Sequence, residues 1–232
     1  MTPTHIATLV LAAVIILGLY LLLRNASDRT KTAVLFCFSL TGICAILYNL
    51  LRWDNPIHYL PLQLCSMNAL LLPIAVLTRN KTIGNLLLVW CLGALAALIL
   101  NSDVIDTVVF GEVFNFYYFP HVFEFGIPIL LFALKLVEKD YRCIPTTLAI
   151  TMGIYTLVHL CNVAINTLVP GANVNYMFSM RPNNPLAELF YTWIPHTYWY
   201  MFLVMPIAFV YLCIVYAPEI LRAMHKKNCK AV

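Results

Sequence analysis

Apolar positions in this chain come in long unbroken blocks, separated by short polar stretches, rather than in alternating or amphipathic patterns. Seven blocks stand out, at about 4–23, 32–51, 60–78, 83–100, 116–137, 146–168 and 198–217. Each is long enough, at 1.5 Å of rise per residue, to cross a hydrocarbon core of about 30 Å. The pattern predicts an all-α, multi-pass membrane protein. It forms one seven-helix domain over residues 1–232 and ends in a short basic tail at 218–232.

Composition sharpens this picture. Of 232 residues, 62% are hydrophobic and 10% charged, where a soluble domain carries roughly 25% charged residues. The first block is not a secretory signal: "MTPTH" lacks the positive n-region, and Arg24, Arg29 and Lys31 follow the apolar run. The eight cysteines are scattered, with no pair close together in an outer loop, so they do not form a disulfide framework. The formal glycosylation triplet Asn80-Lys81-Thr82 falls in a short inner loop and is discarded.

Charge sets the expected orientation. The loops on the N-terminal side hold two of the fourteen Lys and Arg residues, Arg52 and Arg181, and the opposite side holds the other twelve. By the positive-inside rule the N-terminus is outside and the tail is cytoplasmic, in a cell membrane. The net charge of +4 arises from that cytoplasmic side. It signals anionic lipid rather than nucleic acid, and no nucleic-acid motif is present. The expected partners are membrane lipids, and no cofactor is implied.

Polar side chains inside a bilayer are costly and tend to face the bundle interior. In the third block Cys65 and Asn68 stand three residues apart, just after Gln63. In the fifth, His121 and Glu124 repeat that spacing. In the sixth, Tyr155, His159, Asn162 and Asn166 form one stripe. Block two ends with Tyr48, Asn49 and Arg52, and block seven begins with His196 and Tyr200. Five helices thus carry polar groups in their outer halves, while the inner halves are nearly all apolar. Connections 101–115 and 169–197, the two longest, lie on the same side and would roof an outward-facing pocket. Pro61, Pro120 and Pro195 mark the outer starts of blocks three, five and seven. Helix N-termini would therefore border that pocket, which suits an anion such as a phosphate headgroup.

A thiol near a helix N-terminus with an imidazole in reach is the arrangement of an activated nucleophile. Cys65 fits the first role. His121 or His159 would take the proton, and Glu124 or Asn162 would orient the histidine. Arg52 or Arg181 would hold a phosphate or an oxyanion. Three other readings remain. Cys65, His121, Glu124, His159 and His196 are suitable zinc ligands, although no metal-binding spacing occurs and no metal is expected. A transporter would use helices kinked at Pro73, Pro128 and Pro206. A non-catalytic lipid-binding or accessory protein is the last.

Four stretches resemble the YwaF-like integral membrane proteins: "YLPLQLC", "FPHVFEFG", "GANVNYMFSMRPNNPLAEL" and "WIPHTYWY". The resemblance runs from about residue 30 to 217. Its most specific parts are Leu-Pro-Leu-x-Leu-Cys and Asn-Tyr-Met-Phe-x-Met-x-Pro, the second of which brings Asn175 and Tyr176 into the expected pocket. The family is also similar to a eukaryotic cysteine-dependent phospholipid acyltransferase. That resemblance implies Cys65 as the acyl-accepting nucleophile, His121 as its base and a phospholipid as acyl donor.

Overall fold

The computed structural model describes residues 2–100, 111–112 and 114–228. All regular structure among them is helical. We number the α-helices α1 (Pro3–Leu23), α2 (Asp28–Arg52), α3 (Leu64–Thr78), α4 (Lys81–Leu100), α5 (Phe119–Ala133), α6 (Ile144–Leu168), α7 (Pro185–Trp193), α8 (Val204–Val215) and α9 (Ala217–Asn228). A π-helical turn, Phe114–Tyr118, leads directly into α5. Residues beyond 228, the last part of the basic tail, lie outside the described residues, as do 101–110 and Val113 of the first expected roof.

Five helical segments are long and apolar enough to span a bilayer: Pro3–Leu23, Asp28–Arg52, Lys81–Leu100, Phe114–Ala133 and Tyr141–Leu168. A sixth arises if Trp199–Val215 and Ala217–Met224, bent by 64°, count as one span. The remaining block of the seven, 60–78, is helical only over the 15 residues of α3. That is about 22 Å at 1.5 Å per residue, short of a full crossing. The cause is local. Leu60 precedes Pro61, whose ring disfavours helical geometry in its neighbour, and Leu60 is extended (φ −55°, ψ 142°). The helix starts only after Gln63, placing Cys65 in its first turn.

The helices gather into two compact units, Met1–Glu138 and Lys139–Val232. In the first unit α4 packs along α5, α2 along α3 and α5, and α1 along α5. Small residues permit close approach, as packing between helices in lipid requires. A Cβ on Gly126 would come within 2.6 Å of Ile16, and one on Gly42 within 2.6 Å of the Ala69 Cβ. Leu35, Leu72, Leu87, Trp90, Val122, Ile127 and Leu131 fill the core. At the opposite end of α3 from Cys65, Arg79 pairs with Asp28 at 3.1 Å and donates to Thr32 at 2.9 Å. Asn80, the discarded glycosylation position, caps α4 by accepting from the Ile83 amide at 3.1 Å.

In the second unit α6 is followed by a 3-10 turn, Tyr176–Phe178, then α7, a second 3-10 turn at Trp199–Leu203, and the bent pair α8 and α9. The expected loop 169–197 therefore contains a helix. Asn184 caps it by accepting from the Ala187 amide at 2.9 Å, and Pro185 occupies its first turn.

Candidate functional site

The first turns of α3 and α5 bring three reactive side chains together. The Cys65 sulfur, a ring nitrogen of His121 and a carboxylate oxygen of Glu124 lie within 4.8 Å of one another. Cys65 is half-buried, while His121 and Glu124 are buried. The i, i+3 spacing of His121 and Glu124 puts both on the face of α5 that meets α3.

Proline chemistry fixes the fourth member. Pro128 lies inside α5, and a proline has no N–H for the carbonyl four residues earlier. That carbonyl is Glu124's. The Asn68 side-chain amide donates to it at 3.0 Å, the kind of side-chain replacement that makes proline tolerable in membrane helices. Pro128 thus recruits Asn68 and joins α3 to α5 beside Cys65. The bond also settles the amide's orientation: Nδ2 is spent on the backbone and Oδ1 is left over.

The histidine tautomer follows in the same way. His121 Nδ1 lies 2.7 Å from the Tyr117 carbonyl oxygen. A carbonyl only accepts, so Nδ1 carries the hydrogen and Nε2 keeps a lone pair. The orienting partner of His121 is therefore a backbone carbonyl of the π-helical turn, not the Glu124 or Asn162 side chain suggested by spacing. π-Helical turns often occur at functional sites.

Two acceptors in this cluster lack partners. Asn68 Oδ1 and Glu124 Oε2 are buried and make no hydrogen bond, on residues 0% and 4% exposed. Gly42 of α2 completes the wall: a Cβ there would lie 3.0 Å from Glu124 Oε1. The cluster thus combines a thiol, an imidazole lone pair and unspent oxygen acceptors. Such a set can accept a proton, attack a carbonyl carbon or ligate a cation.

The other expected residues fall as follows. Gln63 stands half-buried at the N-cap of α3. Arg52 is exposed at the end of α2, 3.5 Å from Glu112, with its guanidinium over the Trp53 ring. In the second unit Asn162 donates to the Tyr176 carbonyl and the Ser179 hydroxyl, both at 2.8 Å, and accepts from the Tyr176 amide at 3.0 Å. Asn166 takes both the carbonyl and the amide of Val174. His159 Nδ1 meets Ser179 Oγ at 3.1 Å, and Tyr155 donates to the Tyr198 carbonyl. Asn175 binds backbone groups at 180 and 181, and Arg181 is exposed and donates to Asn173. His196 is exposed in the turn before Trp199–Leu203. The α6 stripe therefore binds its own following segment.

Some buried polar residues escaped the sequence reading. His5 and Thr8 of α1 are buried. His5 Nε2 donates to the Leu98 carbonyl at 2.8 Å, and Tyr118 donates to the Thr8 carbonyl at 2.6 Å. The signal was present in His5 and Thr8, three residues apart in an otherwise apolar helix.

Neither the curated proteins nor the solved structures contain a match to this chain. A family model does match, over residues 1–216. The chain belongs to the TMEM164 family of transmembrane proteins.

Proposed function

We propose that this protein is a thiol-dependent phospholipid acyltransferase or lipid hydrolase with Cys65 as nucleophile and His121 as base. It would have seven spans, an outer N-terminus and a cytoplasmic C-terminus in the cell membrane. The observation that carries the reading is the convergence of thiol, imidazole and carboxyl within 4.8 Å, with His121 held in the tautomer a base requires. The YwaF-like resemblance points the same way.

The chemistry runs in two steps. His121 Nε2 accepts the Cys65 proton, and the sulfur attacks the ester carbonyl of a phospholipid. The C–S bond forms, the C–O bond breaks, and the proton passes from His121 to the leaving alkoxide. A hydroxyl or water then takes the acyl group from sulfur. General acid–base assistance of this kind contributes about 10²–10⁴-fold. Leu70, Ile74 and Leu77 are exposed along α3 after Cys65 and offer a surface for the acyl chain. Arg52 and Arg181 would hold the headgroup phosphate.

The test is mass spectrometry of purified protein after incubation with phospholipid. A hydroxylamine-labile acyl adduct on Cys65, absent in Cys65→Ala and diminished in His121→Ala, is expected. No adduct, with lipid turnover unchanged in Cys65→Ala, would overturn the covalent mechanism and leave lipid binding or transport. The same three side chains favour one other reading, a zinc site with sulfur, nitrogen and oxygen ligands. Stoichiometric zinc in the purified protein, lost in Cys65→Ala and in Glu124→Gln, would select it.

A further inference from the structure

Buried acceptors without donors are uncommon, because each forfeits about 1–3 kcal/mol when it leaves water unpaired. Here two occur together beside a reactive thiol: Asn68 Oδ1 and Glu124 Oε2. Neither is needed to orient His121, since the Tyr117 carbonyl does that. Neither is free to turn away. Asn68 is pinned through Nδ2 to the Glu124 carbonyl freed by Pro128, and the Glu124 carboxyl lies against Gly42. The third group in reach, His121 Nε2, is also an acceptor. The wall around Cys65 is built of groups that want a hydrogen-bond donor.

We infer that Asn68 Oδ1 and Glu124 Oε2 form a seat for the O–H group that receives the acyl chain from Cys65. The inference rests on the thioester reading above and assigns the second half of the reaction. In the seat, the hydroxyl oxygen is held near the thioester carbonyl. As it attacks, its O–C bond forms, its proton moves to His121 Nε2, and the C–S bond breaks. The departing sulfur then takes the proton back as a thiol. Atoms and charge balance without a co-reactant. The O–H belongs either to a lipid alcohol, such as a lysophospholipid hydroxyl, or to water, and the seat is the same for both.

The test separates the two half-reactions. Parent, Asn68→Leu and Glu124→Gln proteins in phosphatidylcholine vesicles are given a labelled phospholipid donor, and the Cys65 adduct is measured. A lysophospholipid is then added, and in a parallel sample its O-methyl ether. The expected result is that both variants form the adduct, but its discharge slows by about 5–150-fold, as for loss of one or two hydrogen bonds. Adduct therefore accumulates. The O-methyl ether should draw no acyl group from any protein. Slowing confined to lysophospholipid places a lipid alcohol in the seat. Equal slowing of free fatty acid release places water there. Parent-like discharge in both variants overturns the inference while the thiol mechanism stands, and so does loss of the adduct in both, because the residues then serve the first step. If Asn68→Leu alone fails to form adduct, Glu124→Gln decides. Absence of adduct in the parent overturns the mechanism itself.

Discussion

Two polar clusters in this protein look alike in sequence and differ in their bonding. The first is Cys65, Asn68, His121 and Glu124. The second is His159, Asn162, Asn166 and Ser179. Both sit on apolar helices at helical spacing, and both contain a histidine beside a nucleophilic atom. In the second, each Asn162 group is used. Its amide grips Tyr176 and Ser179, and Asn166 grips Val174 on both sides. Ser179 is 0% exposed and its hydroxyl is spent between Asn162 and His159. In the first cluster, two buried oxygens are unspent and a thiol is half-buried next to them. Saturated bonding marks a clamp, whereas unsaturated bonding at the same depth marks a place that awaits a ligand.

The second cluster holds a strained segment. Met177 and Phe178 both have positive φ, 51° and 55°, a region that side chains rarely adopt, at about 1–3 kcal/mol each. Asn162 fixes the Tyr176 backbone on one side, and the Tyr200 hydroxyl donates to the Phe178 carbonyl on the other. The polar stripe of α6 stabilises this bend.

The largest expected effect comes from Cys65. Cys65→Ser should reduce lipid turnover by at least about 10³-fold, as loss of a covalent nucleophile does. Thermal unfolding in detergent should shift by less than about 1 kcal/mol, because the thiol is only half-buried. Turnover that survives Cys65→Ser would erase the contrast by making the first cluster as structural as the second.

The reverse pattern is expected in the second cluster. Asn162→Leu removes bonds to a buried amide, a carbonyl and a hydroxyl. Its cost should be about 2–4 kcal/mol, read as a lowered unfolding midpoint, with kcat per folded molecule near that of the parent. A stable Asn162→Leu protein with kcat lost would move Asn162 into the reaction.

Much of this contrast was legible in the chain, and some of it was not. Block lengths gave five full spans and the paired sixth, because apolar runs longer than the bilayer core leave little choice but helix. The i, i+3 pairs Cys65/Asn68 and His121/Glu124 were visible, and so was their likeness in position. What spacing does not carry is bonding. The α6 stripe reads as a pocket wall until the segment it grips is known. Pro128 reads as a kink until the carbonyl it frees is found on Asn68. The Pro61 signal was read as a helix start, although the extended Leu60 and a start after Gln63 shorten α3.

A mid-sized effect tests how the first cluster is held. Gly42→Ala places a methyl 2.6 Å from the Ala69 Cβ and 3.0 Å from Glu124 Oε1. Overpacking of this kind costs about 1–3 kcal/mol, and α2 must retreat from α3. Stability should fall by that amount, and kcat should fall with it because Glu124 shifts. Gly153, where a Cβ meets nothing within 4 Å, is the control: Gly153→Ala should be neutral or slightly stabilising through helix propensity.

The smallest structural effect is expected at Arg52, where its kinetic consequence is informative. Its side chain is 57% exposed, and its ion pair with Glu112 spans 3.5 Å between two exposed groups, a type worth about 0–1 kcal/mol. Arg52→Ala should therefore leave the unfolding midpoint almost unchanged. If Arg52 holds a lipid phosphate, KM for phospholipid should rise several-fold with kcat constant, because a headgroup contact binds ground state and transition state alike. The rise should shrink in high salt, as exposed charge pairs are screened. Unchanged KM at low salt would remove Arg52 from the substrate's path. The binding surface would then be set by the apolar face of α3 and the acceptor-rich wall behind Cys65.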